Sequence, residues 1–161
     1  MMLSANGFPW DPWFMKMALE QADLAFQKGE VPIGAVIISK EKEVLASSHN
    51  LKEKNYDPCG HAEIIALRAA GKKIGNWRLT DCDIYTTLEP CTMCMGALVQ
   101  ARVRRVIFGA FDPKGGAISL GYRHFGDPKL NHQLSIIGGV DHYKCSKMLS
   151  MFFKQRRLGY K

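Results

Sequence analysis

The sequence predicts an α/β fold in which a central mixed sheet is covered by helices on both faces. Three observations predict it. Short β-branched runs such as VPIGAVIIS (Val31–Ser39) read as buried strands. Between them lie segments whose apolar residues recur at helical spacing. The order along the chain is helix, hairpin, helix, strand, helix, strand, long loop, strand, helix, which makes five strands in all. A chain of 161 residues suits one compact domain.

Residues 1–10 read as a loose lead-in. Asp11-Pro12 then resembles a helix start, with Asp11 as N-cap and Pro12 at the first helical position. Met15, Ala18, Leu19, Ala22, Ala25 and Phe26 follow helical spacing, and Gly29 stops the helix after about Lys28. Glu41–Glu43 reads as a hairpin turn into a second strand, Val44–His49, and Asn50–Gly60 as a polar loop. His61–Ala70 is a helix ending before Gly71, and Asp83–Leu88 a strand. Thr92–Ala101 is a helix and Val103–Ala110 a strand. Residues 111–133 form a Gly-rich segment with little periodicity, and a loop that long in a compact domain is usually functional. Leu134–Ile137 is a short last strand, and residues 141–161 are a C-terminal helix and tail, the helix running Asp141–Arg157. The natural place for a site is the C-terminal ends of the parallel strands.

Nearly half the residues are hydrophobic, so a core forms without disulfide staples. The five cysteines, an odd number without a secretory leader, argue against a disulfide framework and for a reducing, cytoplasmic compartment. No apolar run is long enough to span a bilayer. With 22 Lys plus Arg against 15 Asp plus Glu, the charge of +7 favours polyanionic partners such as RNA.

Chemistry concentrates in two short motifs, His61-Ala62-Glu63 and Pro90-Cys91-Thr92-Met93-Cys94. The spacing of Cys91 and Cys94 lets both sulfurs reach one metal ion. Each motif opens a predicted helix, whose positive N-terminal end favours thiolate and neutral imidazole, the ligating forms. Three protein ligands leave a fourth position open, the pattern of a catalytic zinc site. Alone, Cys-x-x-Cys also suits a redox pair, and a structural zinc site would need a fourth ligand, for which Cys59 is nearest. The combination with His-x-Glu favours the catalytic site.

This pairing resembles the signature of the zinc nucleoside and nucleobase deaminases. The resemblance to the bacterial tRNA-specific adenosine deaminases covers nearly the whole chain, through VPIGAVI, His49-Asn50, DPCGHAEIIALR, TLEPCTMC, RVIFGAFDPKGGA, Asn131-His132 and FFKQRR. It departs from the family at Cys59-Gly60 and at Phe111. The resemblance implies a cytidine deaminase-like, three-layer α/β/α sandwich with a mixed five-stranded sheet. It also implies a homodimer and inosine formation at the first anticodon position of tRNA. It assigns His61, Cys91 and Cys94 to one zinc ion per chain and Glu63 to proton transfer. Asn50, Ala62, Asp112, Asn131, Phe153, Arg156 and Arg157 fall at positions that meet the flipped base, its neighbours or phosphates of the anticodon stem-loop. Two other readings stand beside this one: a deaminase of free guanine, cytosine or nucleoside, and a zinc-stabilised RNA-binding module without turnover.

Overall fold

The computed structural model describes residues 7–159; residues 1–6 of the expected lead-in lie outside them. Helix α1 (Pro12–Gln27) begins where the Asp11 carboxylate accepts the Trp13 amide at 3.1 Å, with Pro12 in the first turn. It ends at Gly29, whose φ of +73° suits a residue without a side chain. Strands β1 (Gly34–Ile38) and β2 (Val44–His49) form a hairpin. Helix α2 (Ala62–Ile74), strand β3 (Asp83–Leu88), helix α3 (Thr92–Gln100) and strand β4 (Arg105–Ala110) follow. After a single 3-10 turn at His124–Gly126 come strand β5 (Ser135–Ile137) and helix α4 (His142–Arg157).

The largest boundary difference from the sequence expectation is at the end of α2; β1 and β4 also begin later than expected, at Gly34 and Arg105. Helix α2 runs through Gly71 to Ile74 and closes at Gly75, which takes the left-handed conformation at φ +66°. The Asn76 amide reaches back to the Gly71 carbonyl at 3.1 Å, so Gly71 serves the helix end as an acceptor four residues before the cap.

The sheet order is β2-β1-β3-β4-β5. Strand β1 is antiparallel to both β2 and β3, whereas β3, β4 and β5 are parallel. The sheet is mixed and five-stranded, as expected. Its central strands β1, β3 and β4 are buried on both faces and divide their side chains by alternation. Ala35, Ile37, Ile84 and Val106 pack with Ala62 and Ala66 of α2 and Met95 and Leu98 of α3. Val36, Ile38, Tyr85 and Ile107 pack with Phe14, Met15 and Ala18 of α1 and Cys145 of α4. Three layers result: α2 and α3, the sheet, α1 and α4.

Helix α1 lies so close to β1 that a Cβ on Gly34 would sit 2.0 Å from the Ala18 carbonyl oxygen, so glycine is required there. At the start of β3 the buried Asp83 carboxylate accepts Arg104 Nε at 2.9 Å and Nη2 at 2.7 Å, and Arg105 Nε at 3.0 Å. Arg105 also donates to the Pro9 carbonyl at 2.7 Å, which ties the segment before α1 to this end of the sheet. The opposite end of β3 leads directly into Pro90-Cys91, and α2 begins beside it. Among the described residues, no helix is long and apolar enough to cross a membrane.

Candidate metal centre and substrate cleft

His61 and Cys91 are the N-cap residues of α2 and α3. Neither side chain caps its own helix. The usual capping residues are Ser, Thr, Asp and Asn, and doing without one costs about 0.5–2 kcal/mol. Both side chains turn instead toward a common point. His61 Nδ1 lies 3.6 Å from Cys91 Sγ and 3.5 Å from Cys94 Sγ, one turn into α3. The three ligating atoms lie within 4.8 Å of one another, the only such cluster of three or more His, Cys, Asp or Glu among the described residues. A tetrahedral zinc ion, about 2.3 Å from sulfur and about 2.0–2.1 Å from nitrogen, would hold a sulfur and a nitrogen about 3.5–3.6 Å apart. The donor set and its spacing therefore fit zinc. Cys59, Cys82 and Cys145 stand outside the cluster, and all five cysteines are free thiols.

The cluster is electrostatically polarised. The Cys94 thiol hydrogen-bonds Cys91, which brings Cys91 down to about 4, with the His61 hydrogen bond helping against the cost of burial. The same contact, together with burial, pushes Cys94 up. His61 is raised by its hydrogen bond to Cys91.

Glu63 sits in the first turn of α2 and is only 4% exposed. Burial raises its pKa, more than its hydrogen bonds and the His61 charge lower it. Thr86 Oγ1, on β3, donates to Oε1 at 3.2 Å, and Oε2 lies 3.6 Å from Cys94 Sγ. A carboxyl group is thus held beside three metal donors without being one of them.

His61, Glu63 and Cys91 face a cleft of about 880 Å³. Phe111, Asp112 and Lys114 line it from the segment after β4, and Leu149, Phe153, Arg156 and Arg157 from α4. Phe153 is 45% exposed, whereas Phe152 is buried and stacks edge-on against Phe26, so the two neighbours divide into a cleft residue and a core residue. Arg156 donates to the Gly29 carbonyl at 2.6 Å, which anchors α4 to the end of α1. Asp112 Oδ1 accepts the Lys114 and Gly115 amides, both at 3.1 Å, and so closes its own turn while lining the cleft.

The other expected contacts lie apart from the lining. Asn50 is buried at the end of β2; its Oδ1 accepts the Lys52 amide at 3.4 Å. Ala62 is packed in the core, its carbonyl accepting Ser48 Oγ at 2.7 Å. Asn131 is exposed in the turn before β5. Three further acidic or hydroxyl groups matter to the site, and the sequence does not single them out. Thr86 orients Glu63, Glu89 lines the cleft, and Glu30 accepts the Lys54 amide at 2.7 Å and holds the polar loop before His61. For Glu89, its position next to Pro90-Cys91 is the one signal the sequence carries.

Residues 8–110 match the family described as the cytidine and deoxycytidylate deaminase zinc-binding region. A tRNA-specific adenosine deaminase of Haemophilus influenzae is 46% identical over 148 residues, covering 92% of this chain and 86% of that protein. The tRNA-specific adenosine deaminase of Bacillus subtilis is 44% identical and covers 91% of each. The chain belongs to the tRNA-specific adenosine deaminase family. A solved structure from a study of A-to-I editing by tRNA:A34 deaminases superposes with a TM-score of 0.81 at 40% identity, over 86% of this chain and 99% of that one. A guanine deaminase from Bacillus subtilis superposes with a TM-score of 0.60 at 36% identity, over 68% and 69% of the two chains. The zinc-binding region of the family and the His61, Cys91 and Cys94 cluster coincide in this chain.

Proposed function

We propose that this chain is a hydrolase that converts adenosine to inosine at the first anticodon position of tRNA, with one zinc ion held by His61, Cys91 and Cys94. The observation that carries the reading is Glu63, buried, its pKa raised by that burial, and 3.6 Å from Cys94, at the floor of a cleft whose walls bear Phe153, Lys114, Arg156 and Arg157. A purely structural zinc site has no use for that carboxyl group.

When bound, zinc lowers the pKa of water from about 15.7 toward about 7 and makes attack at adenine C6 feasible at neutral pH. Glu63 accepts a proton from the attacking water and delivers it to ring N1, which makes C6 electrophilic. As the water oxygen bonds to C6, Glu63 takes the remaining proton from the new hydroxyl and passes it to the departing amine, so that the C6–N bond breaks, the C6 carbonyl of inosine forms and ammonia leaves. Thr86 holds the carboxyl group still through these transfers, and such general acid–base work is worth about 10²–10⁴-fold. The base must leave its stack to reach the floor, so the substrate is a loop with splayed nucleotides. On the same reading Phe153 stacks on a base, while Lys114, Arg156 and Arg157 serve phosphates. On this reading Asp112 meets the base edge and Asn131 a neighbouring nucleotide, while the buried Asn50 and Ala62 act from behind, bracing the loop and helix end that carry His61. The enzyme acts as a homodimer in the cytoplasm, where the thiols stay reduced.

The likeness to a guanine deaminase favours a second reading, the same chemistry on a free base. Ammonia release decides between them. An anticodon stem-loop should yield inosine and ammonia, whereas free guanine, cytosine and cytidine should yield none. The Glu63→Ala variant should keep zinc and RNA binding and lose turnover by about 10²-fold or more. Release from free guanine but not from the stem-loop would replace the first reading with the second. Near-normal turnover by Glu63→Ala would remove Glu63 from the mechanism.

A further inference from the structure

Glu89 is 2% exposed and stands one residue beyond the end of β3, two before Cys91. A carboxylate in that place invites a catalytic role, but its acceptor sites are already engaged. Oε1 accepts the Ser119 amide at 2.7 Å, and Oε2 accepts the Asp112 amide at 2.9 Å and Ser119 Oγ at 2.5 Å. All three donors belong to the segment that follows β4, and none belongs to the metal cluster. Glu89 therefore grips both ends of residues 112–119, the stretch that places Asp112 and Lys114 in the cleft.

The grip is built on both sides. A Cβ on Gly116 would lie 2.2 Å from the carboxyl carbon of Glu89 and 2.4 Å from Oε1, so that loop position admits only glycine while the carboxylate is in place. The same loop pairs with the ligand strand end: Gly116 bridges Cys91, and the Ala117 amide donates to the Pro90 carbonyl at 2.9 Å. The backbone hydrogen bonds register the loop along the Pro90-Cys91 segment, and Glu89 sets its distance from the cleft floor. A buried amide that loses its acceptor is costly.

We infer that Glu89 is a positioning residue for substrate: by holding the 112–119 wall against the end of β3, it sets the wall's fit to the nucleotide while leaving the metal ligands alone. The inference rests on the proposed reaction and gives Asp112 a fixed place in it.

The test uses the full-length zinc-loaded protein and an anticodon stem-loop. Glu89→Gln keeps the shape but turns an amide NH₂ toward donors, so at least one of the three hydrogen bonds is lost. KM for the stem-loop should rise about tenfold, with a smaller fall in kcat and zinc content unchanged. Ser119→Ala, which removes only the hydroxyl contact, should shift KM in the same direction by less. Combining the two should add less than the sum, since both act through one carboxylate. Amide hydrogen exchange gives a readout that needs no turnover: the Asp112 and Ser119 amides should exchange at least about tenfold faster in Glu89→Gln, while α2 and α3 stay protected. An unchanged KM with unchanged protection at both amides would overturn the inference. Loss of zinc and kcat at constant KM would also overturn it, because Glu89 would then serve the metal helix. If the parent releases no ammonia from the stem-loop, the proposed reaction fails by itself, and the exchange experiment still decides whether Glu89 holds the wall.

Discussion

Cys91 and Cys145 each lie at or within the first turn of a helix, and their surroundings make them chemical opposites. Cys91 is drawn down to about 4 by the Cys94 thiol and His61. Cys145 is pushed up to about 12 by burial against β4, where a Cβ on Gly109 would strike its sulfur at 2.3 Å. Helix position alone does not activate a thiol; hydrogen-bond donors do. Two outcomes follow. Cys94→Ser should lose zinc and activity together, and Cys145→Ser should keep both, as read by metal analysis alongside ammonia release. After chelation, a thiol alkylating agent should label Cys91 quickly at neutral pH and leave Cys145 unlabelled until the protein unfolds, as peptide mass mapping would show. Full zinc occupancy in Cys94→Ser would break the ligand assignment. The candidate ligands are legible in the sequence because each half, His61-Ala62-Glu63 and Pro90-Cys91-Thr92-Met93-Cys94, is a recognisable short motif, although His61 and Cys91 are 30 residues apart. Glu89 and Glu30 are not, because their partners are backbone amides 23 to 30 residues away and nothing local announces their burial.

Among the elements, α4 has the sharpest division of labour. Phe152 faces the core against Phe26, while Phe153, Arg156 and Arg157 face the cleft. A core Phe→Ala costs about 3–5 kcal/mol of stability. Phe153→Ala should therefore melt close to the parent and Phe152→Ala well below it. In RNA binding the order reverses. Phe153→Ala should weaken stem-loop binding by about 1–3 kcal/mol without altering its salt dependence, since stacking carries no counterion release. Arg156→Ala with Arg157→Ala should weaken binding and flatten the log–log salt slope by about 0.7 for each phosphate no longer neutralised. An unchanged slope would mean that α4 does not meet phosphates. The elements are unevenly legible in the sequence. Both ends of α1 are readable because Asp11-Pro12 and Gly29 each do a local job, whereas α2 closes at Gly75, four residues beyond the glycine that the sequence takes for its end. A glycine inside a helix and a glycine that ends one look alike until the backbone angle at Gly75 is known.

At the scale of the molecule, the metal site bridges two helix N-termini that no side chain caps. Ligand binding stabilises a fold by about 4 kcal/mol at a thousandfold excess over Kd. For a chain of this size each kcal/mol moves Tm by about 2–4 °C. Chelation should thus lower Tm by about 8–16 °C at neutral pH, as calorimetry would register. The pH dependence has a definite sign. His61 is raised in the metal-free protein, so below that raised value a proton occupies the ligand nitrogen and must be displaced. The gap in Tm between zinc-loaded and chelated protein should therefore narrow as pH falls through that range. A gap that stays constant from about pH 8 to about pH 5 would contradict ligation by His61.

The metal donors all lie between His61 and Cys94, and the family match ends at Ala110, where β4 stops. The later walls of the cleft, residues 112–119 and α4, come afterwards in the chain. On the proposed reading, reactivity and much of the selectivity fall in separate stretches of the chain. Insertions, deletions or recombination beyond Ala110 can redraw what enters the cleft while the donors that activate water keep their positions. A scaffold of this kind can change clientele without having to reinvent its chemistry.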